Sequence, residues 1–230
     1  MAVSTVRRLW LWPGFLVLVV IGVTIAVVRA RAILADWSAF DAMTAILPPQ
    51  LREEGLVLER WYAAHGFLTL GHVLLGAVFL ALVPIQVAES PRRRWPMLHR
   101  WVGRGLVVLG VPVAASGLVL GGLSPFGGRT ADFAIFLFGA LFLLALGRGF
   151  QAARRRDFVA HRAWMLRAVA VGAGIATVRV VAIPLYVIVG GSALALVGPT
   201  FWFGLSLSSA VAEWWLWRTR GLRPSVARVA

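Results

Sequence analysis

Long stretches without a charged side chain alternate along this chain with short strings crowded with arginine. Charge-free runs cover 9–28, 61–88, 105–128 and 133–147, and a further run from 180 reaches Glu213 before meeting a charge. A helix needs about 20 apolar residues to cross a hydrocarbon core of about 30 Å, so each run predicts a membrane span. The last run is too long for one helix. It divides at Gly190, Gly191 and Ser192, with Pro199 opening the next span, and the helix before it starts near Trp164, so that Arg167 and Arg179 lie inside it. The pattern therefore predicts an all-α, six-helix transmembrane bundle forming a single integral membrane domain over 1–230, with spans at about 9–28, 61–84, 102–122, 132–151, 164–189 and 199–217. The fourth rests on the shortest run, and its loss would move the C-terminus across the membrane.

Composition agrees with this solvent. Hydrophobic residues make up 60% of the chain and charged ones 14%, with a mean hydropathy of +0.84, against about 25% charged in an ordinary soluble domain. The net charge is +14, every basic residue is arginine, and cysteine is absent. A thiol nucleophile, thiolate metal ligand or disulfide is thereby excluded. The charge excess could suggest nucleic acid, but its placement fits a lipid bilayer. Sixteen arginines fall at Arg7 and Arg8, from Arg92 to Arg104, from Arg148 to Arg162 and from Arg218 to Arg228, against five at Arg29, Arg31, Arg52, Arg60 and Arg129. The excess of positive charge on cytoplasmic loops predicts an inner-membrane, multi-pass protein with both termini cytoplasmic. The connection from Arg29 to Arg60, with Asp36, Asp41, Glu53, Glu54, Glu59 and Pro48-Pro49, is predicted to face outward with a short surface helix. The first apolar run exceeds the usual signal-peptide core of about 7–15 residues and is expected to be a retained helix. Tryptophans at predicted span ends, among them Trp10, Trp61, Trp101, Trp164 and Trp217, fit an interfacial belt.

Candidate chemistry starts from a repeat. Arg92-Arg93-Arg94 precedes His99-Arg100 by four residues, and Arg154-Arg155-Arg156 precedes His161-Arg162 in the same way, an offset of 62. Gly76 to Leu80 resembles Gly139 to Leu143 at an offset of 63. A four-helix core of helices 2–5, built as a parallel repeat, would explain both. His99 and His161 then share a depth on different helices, as the axial ligands of a b-type haem must, and Arg100 and Arg162 are placed to meet propionates. The alternative is that these histidines bond headgroups or loop carbonyls. His72 lies near mid-membrane without a histidine at its depth, and reads as a core residue bonded to a neighbouring helix.

Arginine inside a span is costly and faces the bundle interior or a wet cavity. Arg167 is expected to pair with Glu213 at a similar depth, and Arg179 to find Asp132, His65 or backbone carbonyls. The polar cluster is thus His72, Arg167, Arg179 and Glu213, beside the candidate cofactor residues His99, Arg100, His161 and Arg162. No Walker loop, dinucleotide fingerprint, zinc motif or nucleophile elbow occurs. Two functions follow: electron transfer through a bis-histidine haem between quinol or cytoplasmic donors and a membrane partner, or a small transporter or accessory subunit with a cytoplasmic-side anion-binding cluster.

His72 with Gly76, Pro84 and Gln86, then Leu98-His99-Arg100, Gly103-Arg104, His161-Arg162, Trp164-Met165, Arg167 and Arg179 resemble the signature of domain-of-unknown-function family 2306, a bacterial family of predicted membrane proteins. The resemblance covers about Phe67 to Val180, and Ala212-Glu213 is similar to the family's last helix. It departs at Val83, where a glycine is expected, and lacks the tyrosine usual after Arg104. The resemblance implies no reaction, but singles out His72, His99, His161, Arg167 and Arg179. More faintly, the pattern resembles the two-haem membrane cytochrome b superfamily, which uses histidines on separate helices.

Overall fold

The computed structural model describes residues 2–219, excepting the side chains of 2–11 and 90–92. The expectations placed on Arg220, Arg223 and Arg228, and on the side chains of Arg7, Arg8 and Arg92, lie outside the described residues. Every regular element described is a helix: α1 (Ala2–Leu34), α2 (Ser38–Thr44), α3 (Pro49–Ala64), α4 (Gly66–Val87), α5 (Glu89–Arg94), α6 (Pro96–Leu123), α7 (Gly128–Arg154), α8 (Phe158–Val189) and α9 (Val197–Thr219). Five stretches are long and apolar enough to cross a membrane: Trp12–Leu34, Gly66–Val87, Pro96–Leu123, Gly128–Arg154 and Phe158–Val189. The short fourth run thus belongs to a full-length helix, with Asp132 and Arg148 inside it.

Local chemistry sets the boundaries. α3 opens with Pro48 and Pro49 at its first positions, where proline's missing N–H costs nothing. Asp157 caps α8 by accepting from the Ala160 N–H at 3.0 Å, so α8 starts at Phe158 and not at Trp164. Gly190 and Gly191 end it with φ of 71° and 81°, a region that favours glycine. α1 also departs from the expected end at Val28. Ala30, Ala32, Ile33 and Leu34 continue its apolar face past Arg29, and the helix runs on to Leu34, carrying Arg29 into the protein.

Successive long helices pack antiparallel. His72 of α4 lies beside Gly117 of α6, and Gln86 beside Gly103. Likewise Gly121 of α6 meets Ile135 of α7, and Gly149 of α7 meets Met165 of α8. α9 runs back along α8, with Gly204 against Val178 and Arg162 bonded to Thr219. α1 covers the seam of α4 and α8, where Gly22 lies against Leu80 and Ala176. The central cluster holds Phe79, Val83, Leu106, Phe142, Leu146 and Ala168, with Phe79 and Phe142 edge-on at 5.7 Å between ring centroids.

Large apolar side chains face outward in mid-helix, such as Val108 at 71% and Phe133 at 68% exposure. Water would penalise such faces, whereas lipid tails match them, so the bundle holds together by close packing. Small residues provide it. A Cβ on Gly204 would stand 2.6 Å from the Val178 backbone.

Candidate functional site

The end of the bundle that carries the arginine strings is tied by hydrogen bonds. His161, in the first turn of α8, sets Nδ1 at 2.9 Å from the Gly149 carbonyl of α7. A carbonyl only accepts, so Nδ1 carries the proton. Gln86 of α4 donates its side-chain amide to the His99 carbonyl at 3.0 Å. Arg162 donates to Thr219 Oγ1 at 2.9 Å, while Arg100 is exposed. Arg167 grips Glu213 with two bonds of 2.5 and 3.0 Å, as expected from their depths, and stacks over Trp164 at 4.9 Å. This pair is not buried in protein: the two side chains are 32% and 48% exposed.

The haem expectation draws no support from this arrangement. α6 packs on α4 and α7, and α8 on α7, α9 and α1, with the Phe79 and Phe142 rings in contact in the core between α6 and α8. His161 has its ring turned to the α7 backbone. Among the described residues, no three or more histidine, aspartate or glutamate side chains gather as a metal site would need.

The opposite end holds the buried charge. Arg29 of α1 and Glu59 of α3 are each 9% exposed in their side chains. Nε donates to Oε2 at 2.6 Å and Nη2 to Oε1, a two-pronged pair, and the guanidinium also lies 4.3 Å from the Tyr62 ring centroid. Reading both charges as parts of an outer connection missed this pair. The signal was present in the apolar residues that resume after Arg29. Behind it, Thr69, fully buried, donates to the Tyr62 carbonyl at 2.8 Å. His72 sets Nδ1 at 3.0 Å from the Val113 carbonyl and 3.2 Å from Ser116 Oγ, the bond to a neighbouring helix expected of it. Gly117 makes room: a Cβ there would stand 2.9 Å from the ring.

Arg179 finds neither of its expected side-chain partners. His65 turns Nδ1 to the Trp61 carbonyl at 2.9 Å, and Asp132 is not bonded to Arg179. Among the described residues no carboxylate or hydrogen-bond acceptor meets this guanidinium. It lines a partly open cavity of about 140 Å³ between α3, α8, α9 and the 190–196 connection. The carboxylates around that space are committed elsewhere. Glu59 holds Arg29, and Glu54 accepts from Ser192 Oγ at 2.9 Å, from the Leu194 N–H at 3.0 Å and from Gln50 at 3.2 Å. Burial works against the Glu54 charge, but these donors outweigh it and hold the carboxyl below the usual glutamate range. The polar cluster read from the sequence is thus split: Arg167 and Glu213 brace one end, while His72 and Arg179 lie towards the other.

No curated protein and no solved structure matches the chain. The family described as "Predicted membrane protein (DUF2306)" matches over residues 69–216, from within α4 to within α9, and the chain belongs to that family.

Proposed function

We propose that this membrane protein binds a small anion at Arg179, as a small transporter or accessory subunit would, and does so at the end away from its arginine strings. The carrying observation is the uncompensated guanidinium. It sits in a membrane-length helix about 15 Å short of the end at Val189, against a cavity, while its charged neighbours are paired. Holding a half-buried cation without a partner inside a membrane-length helix is costly, and a bound anion reduces that cost.

Two features of the architecture support this reading. α9 follows α8 in antiparallel register from Thr219 to Gly204, which supports reading α9 as a sixth span, and the arginine excess at one end supports reading that end and both termini as cytoplasmic in an inner membrane. A repeat of the α4–α6 pair in α7–α8 fits the packing. Phe79 and Phe142 correspond and touch, Gly110 of α6 lies against Phe142 while its counterpart Gly172 of α8 lies against Phe79, and the corresponding Val83 and Leu146 are both buried. The repeat fails where the polar groups are. Arg179 corresponds to Gly117 and His72 to Ile135, so a duplicated scaffold would have diverged at the anion end.

The test is thermal unfolding of purified protein in neutral detergent against chloride, nitrate, acetate, benzoate and phosphate. Ligand at about 100 times its Kd stabilises by about 2.7 kcal/mol. At least one anion is expected to raise the melting temperature, and Arg179→Gln to abolish that rise. A panel without any Arg179-dependent rise overturns the reading. Sharp visible bands on reduction, lost in His99→Ala and His161→Ala, would instead reinstate haem electron transfer.

A further inference from the structure

We infer that the Arg179 cavity takes a monocarboxylate with an apolar body, which rests on the anion reading above and narrows it to one ligand class. The first ground is charge. Among the described residues the cavity offers one cation without a carboxylate partner, Arg179, since Arg29 is neutralised by Glu59 and Glu54 is held at the rim by Ser192 and Leu194. A single negative charge balances Arg179. A dianion such as phosphate would leave a second charge unpaired beside two carboxylates in a region of low dielectric.

The second ground is the walls. Leu58, Val178, Ala182, Leu196 and Phe201 make them largely apolar, so a compact inorganic anion would leave that surface unfilled. A cavity of about 150 Å³ with apolar walls holds a benzene ring, and 140 Å³ is close to this size, which points to a ring or a chain of about six carbons. The third ground is the donors. The chain has only two tyrosines, Tyr62 and Tyr186, and both line this cavity beside Arg179. A planar guanidinium fits a carboxylate through two parallel hydrogen bonds, and phenols supply further donors on otherwise apolar rings.

Such a ligand has two sources, a free acid from solution or the carboxyl end of a longer lipid chain whose tail leaves the cavity. Gly55 supplies a steric probe, because it lines the cavity and a Cβ on it meets nothing within 4 Å. Gly55→Phe should fill the space while leaving the helices in place.

The experiment is calorimetric titration of the full chain, in a neutral detergent for benzoate, hexanoate, hexanamide, succinate and phosphate, and in nanodiscs for oleate. Benzoate or hexanoate is expected to bind at least tenfold tighter than hexanamide, succinate or phosphate. Arg179→Gln and Gly55→Phe should each weaken it tenfold or more, with Gly55→Phe keeping the parent melting temperature and Arg179→Lys retaining part of the affinity. Affinity that levels off near six carbons identifies a free acid, and affinity that rises through oleate identifies a lipid chain. Either result supports the inference. Phosphate or succinate binding as tightly as hexanoate, still through Arg179, overturns it and leaves the broader anion reading standing. Equal binding of hexanoate to parent and Arg179→Gln overturns both.

Discussion

Arg29 and Glu59 form the most enclosed ion pair among the described residues, joining α1 to α3 through two hydrogen bonds with Tyr62 stacked on the guanidinium. Removing one partner leaves a charge without compensation inside the protein, a loss of about 3–5 kcal/mol. Arg29→Met and Glu59→Gln are each expected to lower the melting temperature in detergent sharply, and the double variant to recover much of it. Additive losses in the double-mutant cycle would show that the two groups do not stabilise each other.

Arg167 and Glu213 make an equally direct pair, but half in the open. Exposed pairs contribute about 0–1 kcal/mol. Arg167→Met and Glu213→Gln should therefore cost much less than the Arg29 and Glu59 variants under the same conditions. Equal costs for the two pairs would contradict the difference in burial.

At Gly204, α9 lies close against the α8 backbone. A methyl group there would press on the Val178 backbone at 2.6 Å, and backbone cannot yield as a flexible side-chain end can. Gly204→Ala is expected to destabilise by about 1–3 kcal/mol. Gly71→Ala, where a Cβ meets nothing within 4 Å, should be neutral or stabilising, because alanine favours helix by about 1 kcal/mol over glycine. Thermal unfolding of the two variants side by side measures the contrast.

Glu54 makes the roof of the cavity sensitive to acid. Its carboxyl is held below the ordinary value, which is about 4.3, so its contribution is complete above the unfolded-state value and is lost as pH falls through the lower folded one. Hydrogen exchange of the Leu194 amide should accelerate over that acid window, and Glu54→Gln should remove the pH dependence. Acceleration on raising the pH from neutrality would have the wrong sign.

Topology can be read by reporter fusions. The six-span reading predicts a cytoplasmic signal from a fusion after Ala230 and an exterior one from a fusion at Pro48. Exterior signals from both would mean that an odd number of helices crosses.

Much of the scaffold was legible because lipid imposes a plain rule: runs without charge become helices, and arginine strings mark one end. The pairing of Arg167 with Glu213 followed from depth alone, by counting residues along two helices. Depth counting fails for Arg29, since a charge at that place predicts the end of α1, whereas the helix continues to Leu34 with Arg29 paired to Glu59. It fails also for Arg179, whose surroundings depend on how α3 is tied to the 190–196 connection through Glu54, a tertiary fact that no periodicity encodes. The histidine repeat was correctly seen as a pattern, but spacing says nothing of where a ring turns, and His161 turns to a carbonyl.

The cavity draws its walls from two parts of the chain with different standing. Arg179, Tyr186 and Phe201 lie within the segment shared with the family, whereas Glu54, Gly55, Leu58 and Tyr62 precede it. The cation therefore stands on helices that match the family model, and the α3 wall beside it stands outside the matched segment. Substitutions confined to α3 would therefore reshape the space in front of Arg179 while leaving the guanidinium and the packing of α8 on α9 as they are.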